Sequence, residues 1–304
     1  MRMQSLLIGA AVAAAVVLPA RADDASWVTG SWQSYEAHKL KLDNIVGNVK
    51  VDVKDGGPMV IQVSGLKDRV QAVHVYAKND TLSVDADQVD TVWDWKNWFN
   101  FSTSYRRKPD QLAIRIAVPR GSAVSVDTSG NVTIGNTNGP LHFDVTGYTN
   151  STVGDVSEAH LSMSGSGKLT VGNVAGTADI DSAGSGDIKL GGAGKLKADI
   201  AGSGSVTVGK IAGPADIDIA GSGNFSAASV NGRVSASIAG SGSVTIADGV
   251  ADPLHIDIMG SGNVSFGGMA VNPKIEAYGS GSVKIKAYRG TLDNEGMSKV
   301  SIGQ

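Results

Sequence analysis

The chain has 304 residues with 26 Lys and Arg against 29 Asp and Glu, forty glycines, eight prolines and no cysteine. The absence of cysteine excludes disulfides, thiolate metal sites and a lipidated N-terminal cysteine. The mild acidity argues against nucleic acid, which selects clustered Lys and Arg.

Arg2, the apolar run Leu6 to Val17 and the small-x-small triplet Ala20-Arg21-Ala22 read as a secretory signal peptide over residues 1–22, cut after Ala22. Loss of Arg2 and Arg21 leaves 24 basic residues against 29 acidic ones, a net charge of −5 with His neutral. Beyond the signal, no apolar run reaches the ~18 residues a spanning helix needs, so the expected location is the periplasm or the exterior. Residues 23–34 read as a linker.

From 35 to 125 the pattern is β but irregular. Lys39-Leu40-Lys41-Leu42, Val49 to Val53, Val60 to Val63 and Val73 to Tyr76 alternate, with turns at Asp55-Gly56-Gly57-Pro58 and Asn79-Asp80. These strands are expected to cap a larger array whose end would otherwise be an open edge. One insertion interrupts them. Residues 91–108 hold Trp93, Trp95, Trp98, Phe99, Phe101 and Tyr105, followed by Arg106, Arg107 and Lys108. Rings beside basic residues suit a lipid headgroup layer, a protein contact or a sugar-stacking surface; equally, the segment can fold back and bury its own rings.

From 126 to 304 a period takes over. Gly-Ser-Gly begins at Gly165, Gly184, Gly202, Gly221, Gly240, Gly260 and Gly279, at steps of 19, 18, 19, 19, 20 and 19. Thr128-Ser129-Gly130 and Gly147-Tyr148-Thr149 extend the series upstream, and Gly296-Met297-Ser298 reads as a last, eroded turn. The short tail after it leaves that end open to self-association. Strands alternate on both sides of the motif, as in Asp216-Ile217-Asp218-Ile219 and Ser205-Val206-Thr207-Val208. A fixed period near twenty residues with two strands per repeat predicts an all-β parallel solenoid, a β-helix with its apolar column inside and Gly-Ser-Gly at a sharp corner. The other corner carries the plugs Val174, Ile211 and Val230, and the long step to Gly260 places one extra residue near Asp248-Gly249.

The serial Ser-Gly-Ser-Gly-x-Val-x-Val rungs, with Val46-Gly47-Asn48-Val49, Thr81-Leu82-Ser83-Val84 and LAIRIAVP at Leu112 to Pro119, resemble the auto-transporter adhesin "head GIN" domain family over roughly residues 38 to 300. The resemblance implies a right-handed parallel β-helix and export; it implies no activity.

No catalytic signature appears. Seven Gly-Ser-Gly copies are corners and not nucleophile elbows, and the five histidines show no His-x3-His spacing. His142 and His160 share an outward position on neighbouring turns, near enough for a metal. Asp181, Asp199 and Asp218 are expected to stack about 5 Å apart, a ladder whose repulsion attracts a cation such as Ca²⁺, partly offset by Lys197 and Lys274. The sequence thus reads as a non-enzymatic exported scaffold or adhesive module for a cell-envelope component, glycan or protein. The rival is a carbohydrate-binding or carbohydrate-active protein that uses residues 91–108.

Overall fold

The computed structural model describes residues 27–86, 112–296 and 299–303. The signal-peptide segment and the aromatic insertion, with Trp93, Trp95, Trp98, Phe99, Phe101, Tyr105, Arg106 and Arg107, lie outside the described residues. Among the described residues the fold is all-β, with 76% strand and 2% helix, and forms a parallel solenoid of about nine turns of about 19 residues.

Each turn follows from the alternation. In Lys197-Ala198-Asp199-Ile200 the apolar residues are buried and the charged ones face out. The next turn repeats this in parallel register, with Ala198 on Ile217 and Ile200 on Ile219. Large and small side chains alternate along the interior column Ile180, Ala198, Ile217, Ala236, Ile256, so stacked turns fill one continuous core. A short third ladder of Val156, Val174, Ala193, Ile211 and Val230 plugs the corner opposite Gly-Ser-Gly.

The Gly-Ser-Gly corner is a tight backbone stack. Gly221 has φ +120°, and a Cβ there would lie 2.7 Å from the Gly202 carbonyl oxygen. The third glycine faces inward: a Cβ on Gly242 would meet the Ile219 side chain at 2.7 Å. Ser185, Ser203, Ser222 and Ser241 are exposed between these glycines.

Length variation falls in the opposite corner, with one correction. The extra residue before Gly260 sits at Asp252-Pro253 and not at Asp248-Gly249. Gly249 stays paired with Val230, and the register shifts only between Gly232 and Val234, opposite Ala251 and Leu254. Proline has no N–H to give a ladder, so the bulge forms where the chain already lacks that donor. A second correction concerns the end of the repeat. Residues Asp293–Gly296 and Lys299–Ile302 do form a turn on the preceding one, but Gly296 pairs with Ala277 and so lies outside the corner-glycine column.

The N-terminal region has its own order. Its elements are β1 (Trp27–Thr29), β2 (Gln33–Tyr35), β3 (Lys39–Ile45), β4 (Asn48–Lys54), β5 (Met59–Leu66), α1 (Lys67–Gln71), β6 (Val73–Lys78), β7 (Thr81–Ala86), β8 (Leu112–Pro119), β9 (Ala123–Thr128) and β10 (Asn131–Ile134). β3 and β4 pair in parallel with β9 and β10, so residues 39–54 are a solenoid turn although no Gly-Ser-Gly marks them. β7 and β8 stack on the far side of that turn. Antiparallel β5 then covers β8 and antiparallel β6 covers β7, with the short β1 and β2 on the outer edge of β5. The parallel edges are therefore closed by a hairpin-like cap.

Candidate functional site: an outward charge ladder

Parallel register turns every outward position into a column. One column on the face before the Gly-Ser-Gly corner runs Asp85, Asp43, Asp127, Asp144, Ser162, Asp181, Asp199, Asp218, Ser237, Asp257, Glu276 and Glu295. The Asp181, Asp199 and Asp218 ladder is the centre of this stripe, whose positions from Asp144 to Glu276 follow from the repeat period alone. The stripe goes on into β3 and β7, where the period gives no warning of it.

At four places the neighbouring column supplies a cation: a basic residue pairs with the carboxylate two positions on, on its own strand. Lys41 meets Asp43 at 2.7 Å, His142 Nε2 meets Asp144 at 2.8 Å, and Lys197 meets Asp199 at 2.5 Å. Lys274 meets Glu276 in the same way; their hydrogen bond raises the lysine pKa and lowers that of the glutamate. These pairs are exposed and add little stability each, but they set the charge pattern of the face.

Asp127 has no such partner. Desolvation, with Asp144 and Asp43 close by, pushes its pKa up. Its charged form is therefore disfavoured in the fold, a cost present at neutral pH and relieved as pH falls through the raised value. We expect Asp127→Asn to raise the thermal midpoint slightly at pH 7, within about 0.5 kcal/mol. The gain should vanish near pH 3 in a melting series, where the wild-type carboxyl is already protonated.

His160 departs from this pairing, because two residues on stands Ser162. Its ring stacks on His142 with centroids 4.8 Å apart and planes 4° from parallel, and its nitrogens face Asp179 and Asp181 on the next turn. Two separate turns thus converge on one imidazole. The sequence placed His142 beside His160 but did not connect either with Asp179.

The opposite flat face is different in kind. Its columns carry Asn, Ser and Thr with scattered lysines, hydrogen-bonded between turns as in Ser243 to Asn224 and Ser282 to Asn263. Beside the acidic stripe an exposed alanine column, with Ala201, Ala220 and Ala239, floors a shallow open groove of about 330 Å³.

The model of one protein family, "Putative auto-transporter adhesin, head GIN domain", matches residues 38–249. The chain belongs to this family. In the head GIN fold as this chain builds it, the match runs from the β3 turn through the Gly-Ser-Gly turns to Gly249. Solved structures similar to the chain include a "putative adhesin" from Bacteroides fragilis, 18% identical, covering 92% of this chain and 98% of that one with a TM-score of 0.36. Another "putative adhesin", from Parabacteroides distasonis, is 17% identical with the same coverages and a TM-score of 0.42. A "putative lipid binding protein" from the latter species is 12% identical, covering 91% and 97%, with a TM-score of 0.39. No curated protein matches the chain. The family description names adhesins and not enzymes. Among the described residues, no helix is long and apolar enough to cross a membrane.

Proposed function

We propose that this head GIN chain is a non-enzymatic, exported adhesive or binding module that engages a cell-envelope component through residues 91–108. The observation that carries the reading is the family match across most of the solenoid. The signal-like residues 1–22 and the lack of a catalytic signature in the sequence support export and a binding role.

The placement of the contact rests on topology. Residues 91–108 connect β7 to β8, and those two strands form the outermost parallel turn. This connection holds three of the chain's five tryptophans and four basic residues in eighteen positions. Aromatic anchors flanked by cations suit an anionic interfacial layer.

Co-sedimentation with vesicles of phosphatidylglycerol and phosphatidylethanolamine tests this. The wild type is expected to pellet, and Trp93/Trp95/Trp98→Ala to lose at least tenfold in bound fraction with an unchanged melting curve. A glycan array run on both proteins separates the rival: selective, Trp-dependent glycan binding without vesicle binding would establish a carbohydrate-binding module instead. Measurable glycan turnover would overturn the non-enzymatic reading.

A further inference from the structure

We propose that His160, Asp179 and Asp181 form a binding site for one divalent transition-metal ion of the zinc class. One donor atom from each side chain lies within 4.8 Å of the others. His160 Nδ1 is 3.4 Å from Asp179 Oδ2, and its Nε2 is 4.0 Å from Asp181 Oδ2. Zinc binds imidazole nitrogen and carboxylate oxygen at about 2.0–2.2 Å, which sets two donors of a tetrahedral ion about 3.4 Å apart. One ion takes only one imidazole nitrogen, so the separation to close is the 4.8 Å within which one donor atom from each side chain lies, and drawing it in to about 3.4 Å falls to side chains that are 39–48% exposed.

Two observations set this cluster apart from the rest of the acidic stripe. The first is the departure from that pairing. His142 and the lysines at 41, 197 and 274 each satisfy a carboxylate on their own strand, whereas His160 has Ser162 there and faces two carboxylates across the turn. The second is an orphaned atom. Asp179 Oδ2 faces His160, while its Oδ1 is removed from solvent, accepts no hydrogen bond and has only the Lys197 ammonium at 4.0 Å, which is committed to Asp199, so the carboxylate is under-satisfied beside the imidazole. With His160 neutral the three groups carry two negative charges, matched to M²⁺.

The donor set also chooses the ion. Imidazole suits Zn²⁺, Ni²⁺ and Cu²⁺, while Ca²⁺ takes six to eight oxygens. The Asp181, Asp199 and Asp218 ladder is the poorer cation site because Lys197 already occupies Asp199. Three side chains leave coordination open to solvent, and the ion would tie the turn of His160 to the turn of Asp179 and Asp181.

Isothermal titration of the tag-free full chain with Zn²⁺ and, separately, Ca²⁺ tests the site. We expect one zinc per chain and Ca²⁺ at least tenfold weaker. His160→Ala and Asp179→Asn should each weaken zinc at least tenfold, His255→Ala less than twofold, and Lys197→Gln should tighten it severalfold by removing the competing charge. Zinc should also raise the wild-type melting midpoint by a few degrees and leave that of His160→Ala in place. Circular dichroism confirms that each variant is folded. Zinc binding that survives His160→Ala, an absence of saturable binding at 100 µM zinc, or Ca²⁺ binding tighter than zinc would overturn the proposal. Vesicle binding by the 91–108 segment is read separately, so either result stands without the other.

Discussion

Gly221→Val is expected to destabilise the solenoid by about 2–6 kcal/mol, against at most about 0.5 kcal/mol for Ser222→Val at the next, exposed position. The glycine sits at φ +120°, where a side chain costs roughly 1–3 kcal/mol in backbone strain. Its absent Cβ would press within 2.7 Å of the Gly202 carbonyl oxygen and 3.3 Å of the Gly202 nitrogen, and backbone cannot turn aside as a side chain can. Overpacking of that kind adds about 1–3 kcal/mol. The consequence is larger than a local defect, because each turn is held by its two neighbours. A break at Gly221 weakens the coupling of the turns before it to those after it. Guanidinium unfolding should show a lower midpoint with a broadened or split transition, and hydrogen exchange should rise first in the strands around Gly202, Gly221 and Gly240. A variant within 1 kcal/mol of the wild type would show that the corner is not the constraint we describe.

That result bears on how much of the molecule its sequence displays. A period of 19 residues converts distance along the chain into height along the solenoid, so Asp181, Asp199 and Asp218 could be stacked on paper. The same arithmetic exposed the inward Val and Ile positions and the corner glycines. It failed where length changes inside a corner. Gly249 looks like a turn residue and attracts the extra position, yet pairing with Val230 holds it in register, and Pro253 marks the real bulge. It also failed beyond the repeat. β3 meets β9 across a long intervening sequence, and β7 meets β3 from the other side, an order no periodicity can signal. The His160 cluster was half legible. The column of histidines follows from spacing alone, but the reach to Asp179 and Asp181 depends on Ser162 being too short to compete, a relation between three positions on two turns.

Ile61→Asp is expected to cost about 3–5 kcal/mol and, unlike the corner variant, to change the association state. Ile61 lies in the capping strand β5, is 1% exposed, and pairs with Ile116 of β8 on one side and Gln33 of β2 on the other. A carboxylate there is buried among apolar side chains with no cation in the register to meet it, so relief comes by protonation or by lifting β5 from the sheet. Lifting β5 bares the N–H and C=O groups of β8, eight residues of regular strand whose inward side chains Ile114, Ile116 and Val118 are apolar. An edge of that length is a template for a second chain, and the cap strand is what denies it. Light scattering after size exclusion should find the wild type unchanged on warming toward its midpoint and Ile61→Asp passing into dimers and larger species well below its own. Ser34→Asp, on the exposed outer strand β2, serves as the charge-matched control and should behave as the wild type. Loss of stability without association would mean that β5 contributes only its packing, and that some other feature keeps the β8 edge from pairing. Association appearing in step with the melt would tie the two together: the antiparallel cap both completes the core over the first parallel turn and ends the stacking that would otherwise continue from chain to chain.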